Sequence, residues 1–170
     1  SKRMLFLYST NKEWEGMEVK ESNSNSRWNA TINGTTALDI ALKALKIHEG
    51  DEIIVPDFTF ISTANSVLFQ NAKPIFADIE EKTFTLDLED VMKKITKKTR
   101  AIICVHLFGH PCEMKGLKEI CEDHNLFLIE DCAQAHGAEY ENKKVGSFGI
   151  GCFSFYATKN MTTGEGGMVT

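Results

Sequence analysis

From Asn33 onward the chain alternates two periodicities, and that alternation restricts it to one class of fold. Leu38, Ala41, Leu42 and Leu45 recur at i, i+3, i+4 and i+7, one face of a helix. Gly50-Asp51 interrupts the pattern. Ile53-Ile54-Val55, closed by Pro56, is then the continuous apolar run of a strand buried on both faces. The unit repeats. Ile61, Ala64 and Leu68 mark a second helix and Pro74-Ile75-Phe76-Ala77 a second strand. Leu88, Val91, Met92 and Ile95 give a third helix, with Asp87 placed to cap it, and Ala101-Ile102-Ile103-Cys104-Val105 a third strand. Met114, Leu117 and Cys121 give a fourth helix and Leu126-Phe127-Leu128-Ile129 a fourth strand. Four such units predict an α/β fold, a mostly parallel sheet with helices on both faces. After Asp131 the pattern shortens, and Ala138-Glu139-Tyr140, Val145-Gly146 and Cys152-Phe153-Ser154-Phe155 predict short strands joined by Gly-containing turns. Residues 1–32 carry neither period. Ser22-Asn23-Ser24-Asn25-Ser26 is polar and low in complexity, so 1–32 is expected to be irregular or disordered.

Composition narrows the partners. The 170 residues hold 19 Lys and Arg against 24 Asp and Glu, a formal net charge of −5, which argues against nucleic acid. The one basic cluster, Lys93, Lys94, Lys97, Lys98 and Arg100, has no interleaved aromatics and reads as a solvated helix end. No apolar run approaches the roughly 20 residues of a membrane span. Met4-Leu5-Phe6-Leu7-Tyr8 is too short for a signal-peptide core. Five irregularly spaced cysteines without a C-x-x-C pair argue against a disulfide framework or a metal site and suggest reduced thiols in the cytoplasm.

In parallel sheets ligands sit beyond the carboxyl ends of the strands. That rule selects Asp57, Phe58, Asp78, His106, Asp131 and Gln134. Three local patterns add chemistry. Asn33-Gly34-Thr35-Thr36 opens a helix with free amides and hydroxyls, which suits a phosphate, or is a simple N-cap. Glu130-Asp131 puts two acids at the end of an apolar strand, where a buried carboxylate needs a cationic or hydrogen-bonding partner; the plain alternative is that Asp131 caps the next segment. Lys159 follows the aromatic-rich Phe153-Ser154-Phe155-Tyr156 and is either a nucleophile toward carbonyls or a snorkelling surface lysine. Thr163-Gly164-Glu165-Gly166-Gly167 lacks nucleotide-loop spacing and reads as a flexible turn. His106 and His110 are separated by Gly109, with Pro111 following, and do not form a helical metal pair. A helix-start anion site, a strand-end Asp and an isolated Lys are the parts that hold a phosphorylated pyridine aldehyde.

Five ordered stretches carry a resemblance: Asn33–Leu38, Val55–Phe60, Val105–Pro111, Glu130–Gly137 and Cys152–Asn160. On these, residues 33–170 resemble the DegT/DnrJ/EryC1/StrS family of pyridoxal-phosphate-dependent sugar aminotransferases. Gly109-His110-Pro111-Cys112 and Thr162–Gly167 are most similar to perosamine-synthase-type members. The resemblance implies a type I aminotransferase large domain, present in part over 33–170, with the C-terminal small domain absent. It implies pyridoxal 5'-phosphate as a Schiff base on Lys159, Asp131 at the pyridine nitrogen and Gln134 at the ring hydroxyl. It makes Gly34, Thr35 and Ser154 the phosphate cradle and Phe60 the ring that stacks on the pyridine. The implied reaction moves an amino group from an amino acid, glutamate above all, to a keto carbon of a nucleotide-linked deoxysugar. The full-length protein is then expected to be a homodimer. A related dehydratase on the same cofactor carries His at the lysine position, so Lys159 argues against it. An inactive or regulatory fragment that binds cofactor or sugar is the remaining reading. The family carries Gly-Asp-Ile-Gly where this chain has Gly149-Ile150-Gly151. One residue fewer would reverse the faces of the strand leading to Lys159 unless a turn absorbs it.

Overall fold

The structure, a computed structural model, describes residues 28–170. The low-complexity Ser22–Ser26 lies outside them. The described elements are β1 Asn29–Thr31, α1 Gly34–Ala44, β2 Glu52–Pro56, α2 Ser62–Leu68, β3 Lys73–Ala77, α3 Leu88–Lys94, β4 Thr99–Val105, α4 Met114–His124, β5 Phe127–Asp131, β6 Glu139–Tyr140, β7 Lys143–Lys144, β8 Ile150–Ser154 and β9 Gly167–Val169.

Seven strands form one sheet in the order β1-β9-β8-β5-β4-β2-β3. The run from β3 to β8 is parallel, and β8-β9-β1 is antiparallel. The expected α/β class therefore holds, with an antiparallel edge added. Alternate residues of each central strand enter two different cores. Ile53, Val55, Ala101, Ile103 and Ile129 pack under α1 and α2 with Ala37, Leu38, Ala41, Leu42 and Val67. Ile54, Ile102, Cys104 and Leu128 pack under α3 and α4 with Val91, Met114, Leu117 and Cys121. Helices on both faces explain why the strands read as unbroken apolar runs.

Several local expectations are corrected. Residues 29–31 were expected to be irregular, but they form β1. Three residues are too few to show a period, and this strand exists through its partner β9. Ile61 and Leu68 do not line the inner face of α2. They are 62% and 52% exposed, and the buried side chains are Thr63, Ala64, Ser66 and Val67. Ile95 ends α3 in an extended conformation, and Leu126 precedes β5. The strand expected at Val145-Gly146 lies at Lys143–Lys144. Glu141 and Asn142 both take positive φ and form a two-residue hairpin loop, which pairs β6 with β7. Gly146, at φ 83°, cannot prolong a strand.

Candidate active site

The carboxyl ends of β4, β5 and β8, the segment that follows β2 and the first turn of α1 meet around one cavity of about 400 Å3. All seven residues singled out above, Gly34, Thr35, Phe60, Asp131, Gln134, Ser154 and Lys159, line it. A larger groove of about 730 Å3, walled by Glu80, Asp87, Glu89, Glu113, Glu139 and Glu141, collects none of them.

Asn33 starts α1. Its side chain accepts the Thr36 amide at 2.9 Å and its carbonyl the Ala37 amide at 3.1 Å. The amides of Gly34 and Thr35 lie in the first turn and have no acceptor within the helix, so they remain for an anion. Gly34 permits a close crossing: a Cβ there would stand 2.7 Å from the Cβ of Ser154. The Ser154 hydroxyl is thereby brought to the helix start. Thr35 Oγ1 meets Ser62 Oγ at 2.7 Å, which joins the starts of α1 and α2.

Asp131 closes β5 and is buried. Its Oδ1 accepts the Ala133 amide at 3.0 Å, while Oδ2 has, among the described residues, only the Thr63 hydroxyl at 3.4 Å. Burial pushes its carboxyl above the ordinary Asp range; the Ala133 amide, the Lys159 charge and the Thr63 hydroxyl pull the other way. A buried carboxylate with one oxygen this poorly matched suits a cationic N–H delivered by a ligand. Gln134 Oε1 accepts the Phe108 amide at 2.7 Å, which leaves its NH2 group as the free donor. Lys159 sits in the loop between β8 and β9, which Tyr156, Phe155 and Gly166 tie down through backbone bonds. Phe60 covers the rim and is 69% exposed.

Of the other strand-end candidates, Asp57, Phe58 and Asp78 stay outside the cavity, and His106 is fully buried beneath it. Sequence reasoning missed Thr59, Ser62, Thr63 and Glu165. Thr59, Ser62 and Glu165 line the cavity, and Thr63 links Thr59 to Asp131 at 3.1 and 3.4 Å. Hydroxyls crowded between Pro56 and the second helix were the available signal. The shortened turn at Gly149-Ile150 is absorbed: Ile150 pairs with Ile129, and Ser154 faces the cavity.

The chain as a whole is similar to known proteins. The model of the DegT/DnrJ/EryC1/StrS aminotransferase family matches residues 6–170, beginning upstream of Asn33. The GDP-perosamine synthase of Escherichia coli O157:H7 is 53% identical over 138 residues, 81% of this chain and 38% of that protein. A UDP-N-acetyl-3-dehydro-alpha-D-glucosamine 3-aminotransferase of Acidithiobacillus ferrooxidans is 50% identical over 81% of this chain and 38% of its own. The chain thus spans under two fifths of the curated relatives it matches. Among solved structures, an aminotransferase from Psychrobacter cryohalolentis superposes with a TM-score of 0.83 at 51% identity, covering 85% of this chain and 37% of that one. A Streptococcus pneumoniae protein assigned as a sugar aminotransferase, in its PLP form, superposes with a TM-score of 0.82 at 31% identity, covering 85% and 41%.

Proposed function

This chain belongs to the DegT/DnrJ/EryC1/StrS aminotransferase family, and from that premise we propose that the full-length protein transfers an amino group from an amino acid, glutamate, to a keto carbon of a nucleotide-linked deoxysugar. The family works with pyridoxal phosphate. The observation that carries the reading is a single cavity that joins a helix-start anion cradle, a buried under-partnered carboxylate and a lysine loop.

When bound, the cofactor supplies an electron sink for reactions at an amino carbon. The chain's own groups divide the rest. The Gly34 and Thr35 amides, with the Thr35 and Ser154 hydroxyls, bind the phosphate. Asp131 would accept the ring N–H and hold that proton in place, with Thr63 orienting its Oδ2. Gln134, its Oε1 occupied by the Phe108 amide, would donate its NH2 to the ring hydroxyl. Phe60 covers the ring face and keeps water from it. The Lys159 amine would hold the cofactor through its aldehyde carbon, the aldehyde oxygen leaving as water, and once displaced by the substrate's amine it would be free to carry a proton at the reacting carbon. The two curated relatives above are named for different sugars, which supports the nucleotide-sugar class and no single member of it. Exposed Phe58, Phe84 and Phe108, in ring contact with one another and joined to the site through the Phe108 amide on Gln134, support a second copy as its cover.

Lys159→Arg keeps the charge and removes the nucleophile. In the full-length protein it should abolish the visible absorbance of the lysine-bound cofactor, borohydride trapping and amino transfer, with the far-UV circular dichroism unchanged. Transfer that survives in this variant would sink the assignment. In the wild-type protein, trapping without transfer would favour a regulatory cofactor-binding protein.

A further inference from the structure

Glu130 precedes Asp131 in β5, so strand alternation turns it away from the cavity. It is fully buried and yet meets no fixed cation. Its Oε1 accepts the amides of Phe148 and Gly149, each at 2.7 Å. Its Oε2 accepts the Gly146 amide at 2.7 Å and His106 Nε2 at 3.2 Å. Burial opposes a charge on His106, while Cys112 and Glu130 favour one and would lift its pKa to about 9. The Cys112 amide decides the matter. It donates to His106 Nδ1 at 3.1 Å, the lone pair a second proton would need, so the ring is the neutral Nε2–H tautomer. Three of the four donors are therefore backbone amides of one turn, residues 146–149. His106, Glu130 and Cys132 also offer ligand atoms within 4.8 Å of one another. The lone pairs of His106 and Glu130 are already taken by N–H donors, which leaves a metal ion no coordination sites there.

The turn has no slack. A Cβ on Gly149 would stand 2.3 Å from the Leu128 carbonyl oxygen, and one on Gly146 2.5 Å from the Phe153 ring. β8 begins directly after it, with Ile150 opposite Ile129, and ends at Ser154. On the other side His106 opens the segment whose Phe108 amide holds Gln134. Every element that carries a proposed cofactor-binding residue on β5 and β8 thus refers back to one carboxylate.

We propose that Glu130 is a positioning residue: by gathering His106 and the amides of Gly146, Phe148 and Gly149, it sets where β8 starts and so where Ser154 and the Lys159 loop stand relative to Asp131 and Gln134. This rests on the site reading above. Glu130→Gln in the full-length holoprotein tests it. The amide has one acceptor oxygen, and its NH2 must face N–H donors on one side. Hydrogen exchange should accelerate over 146–154 and stay unchanged in α1 and β4. The pyridoxal phosphate Kd, read by spectral titration, should weaken about 10- to 100-fold, and kcat should fall more than KM changes. A variant that melts earlier but binds cofactor and turns over as the wild type does would reduce Glu130 to a core group and overturn the proposal. Where the Gln variant does not fold, Glu130→Asp keeps the charge and withdraws it by one methylene. The same local exchange and affinity losses support the proposal, and wild-type values overturn it. Failure of the wild-type protein to take up pyridoxal phosphate would sink the functional reading instead, and the exchange pattern would still show whether Glu130 governs the turn.

Discussion

One methyl group separates a working helix start from a blocked one. Gly34→Ala places a Cβ 2.7 Å from the Ser154 Cβ, so α1 and β8 must part. We expect a loss of about 1–3 kcal/mol from overpacking, with weaker cofactor binding, readable by thermal melting and spectral titration. Asp131 and Glu130 are chain neighbours with opposite electrostatics. Burial raises the Asp131 pKa. Without cofactor its folded value exceeds its unfolded one, so it subtracts stability as pH rises through that interval. Glu130 goes the other way: burial works against it, but the His106 N–H and the Gly146 and Gly149 amides hold it below the ordinary Glu range. Its contribution is present above the unfolded value and is lost as pH falls through the folded one. Cofactor-free Asp131→Asn should therefore melt above the wild type at neutral pH, with the gap closing in acid. For Glu130→Gln the deficit should be largest at neutral pH and shrink in acid, at about 1–3 kcal/mol for each amide left without an acceptor. Parallel pH-melting curves of the two variants check both signs. In the holoenzyme, Asp131→Asn should cost kcat by orders of magnitude, about 1.4 kcal/mol per tenfold, and cofactor affinity far less.

At the scale of elements, caps and turns were more legible than faces. Asp87 accepts the Glu89 amide at 2.8 Å and the Asp90 amide at 3.4 Å, as its place before the Leu88–Ile95 pattern predicts. Because α3 is only seven residues long, Asp87→Ala should lower stability by about 1 kcal/mol, visible as a lower melting temperature with cofactor binding intact. Of the apolar marks of α2, Ala64 is buried but Ile61, which caps the helix, and Leu68 are exposed. Its inner face mixes Ala64 and Val67 with the hydroxyls of Thr63 and Ser66, which are satisfied by Asp131, Thr59 and the Thr63 carbonyl. Hydrophobic periodicity cannot see a helix face turned toward a polar site.

At the scale of the molecule, among the described residues the sheet ends at β3 on one side and β1 on the other, and neither edge has a strand partner among them. The rings of Phe58, Phe84 and Phe108 follow one another at 5.9 Å, tilted, and 6.5 Å, edge-on, and Phe108 is 72% exposed. Expressed by itself, the 170-residue chain should self-associate and take up pyridoxal phosphate only weakly. Sedimentation and spectral titration against the full-length protein check this. A monodisperse chain that binds and turns over as the full-length protein does would show that these surfaces need no cover.

By itself the sequence determined the parallel α/β architecture, since apolar runs and helical stripes follow from burial against neighbours of any identity. It also pointed to the chemistry of Gly34, Thr35, Asp131 and Lys159, because residue type and position in an element carry that information locally. Tertiary structure alone decided that residues 29–31 form a strand, that Thr63 reaches Asp131, and that Gly34 crosses Ser154 within contact distance. It alone revealed Glu130 as an acceptor for four donors from two distant segments. Such facts depend on which strands lie side by side, and no periodicity along the chain encodes that distance.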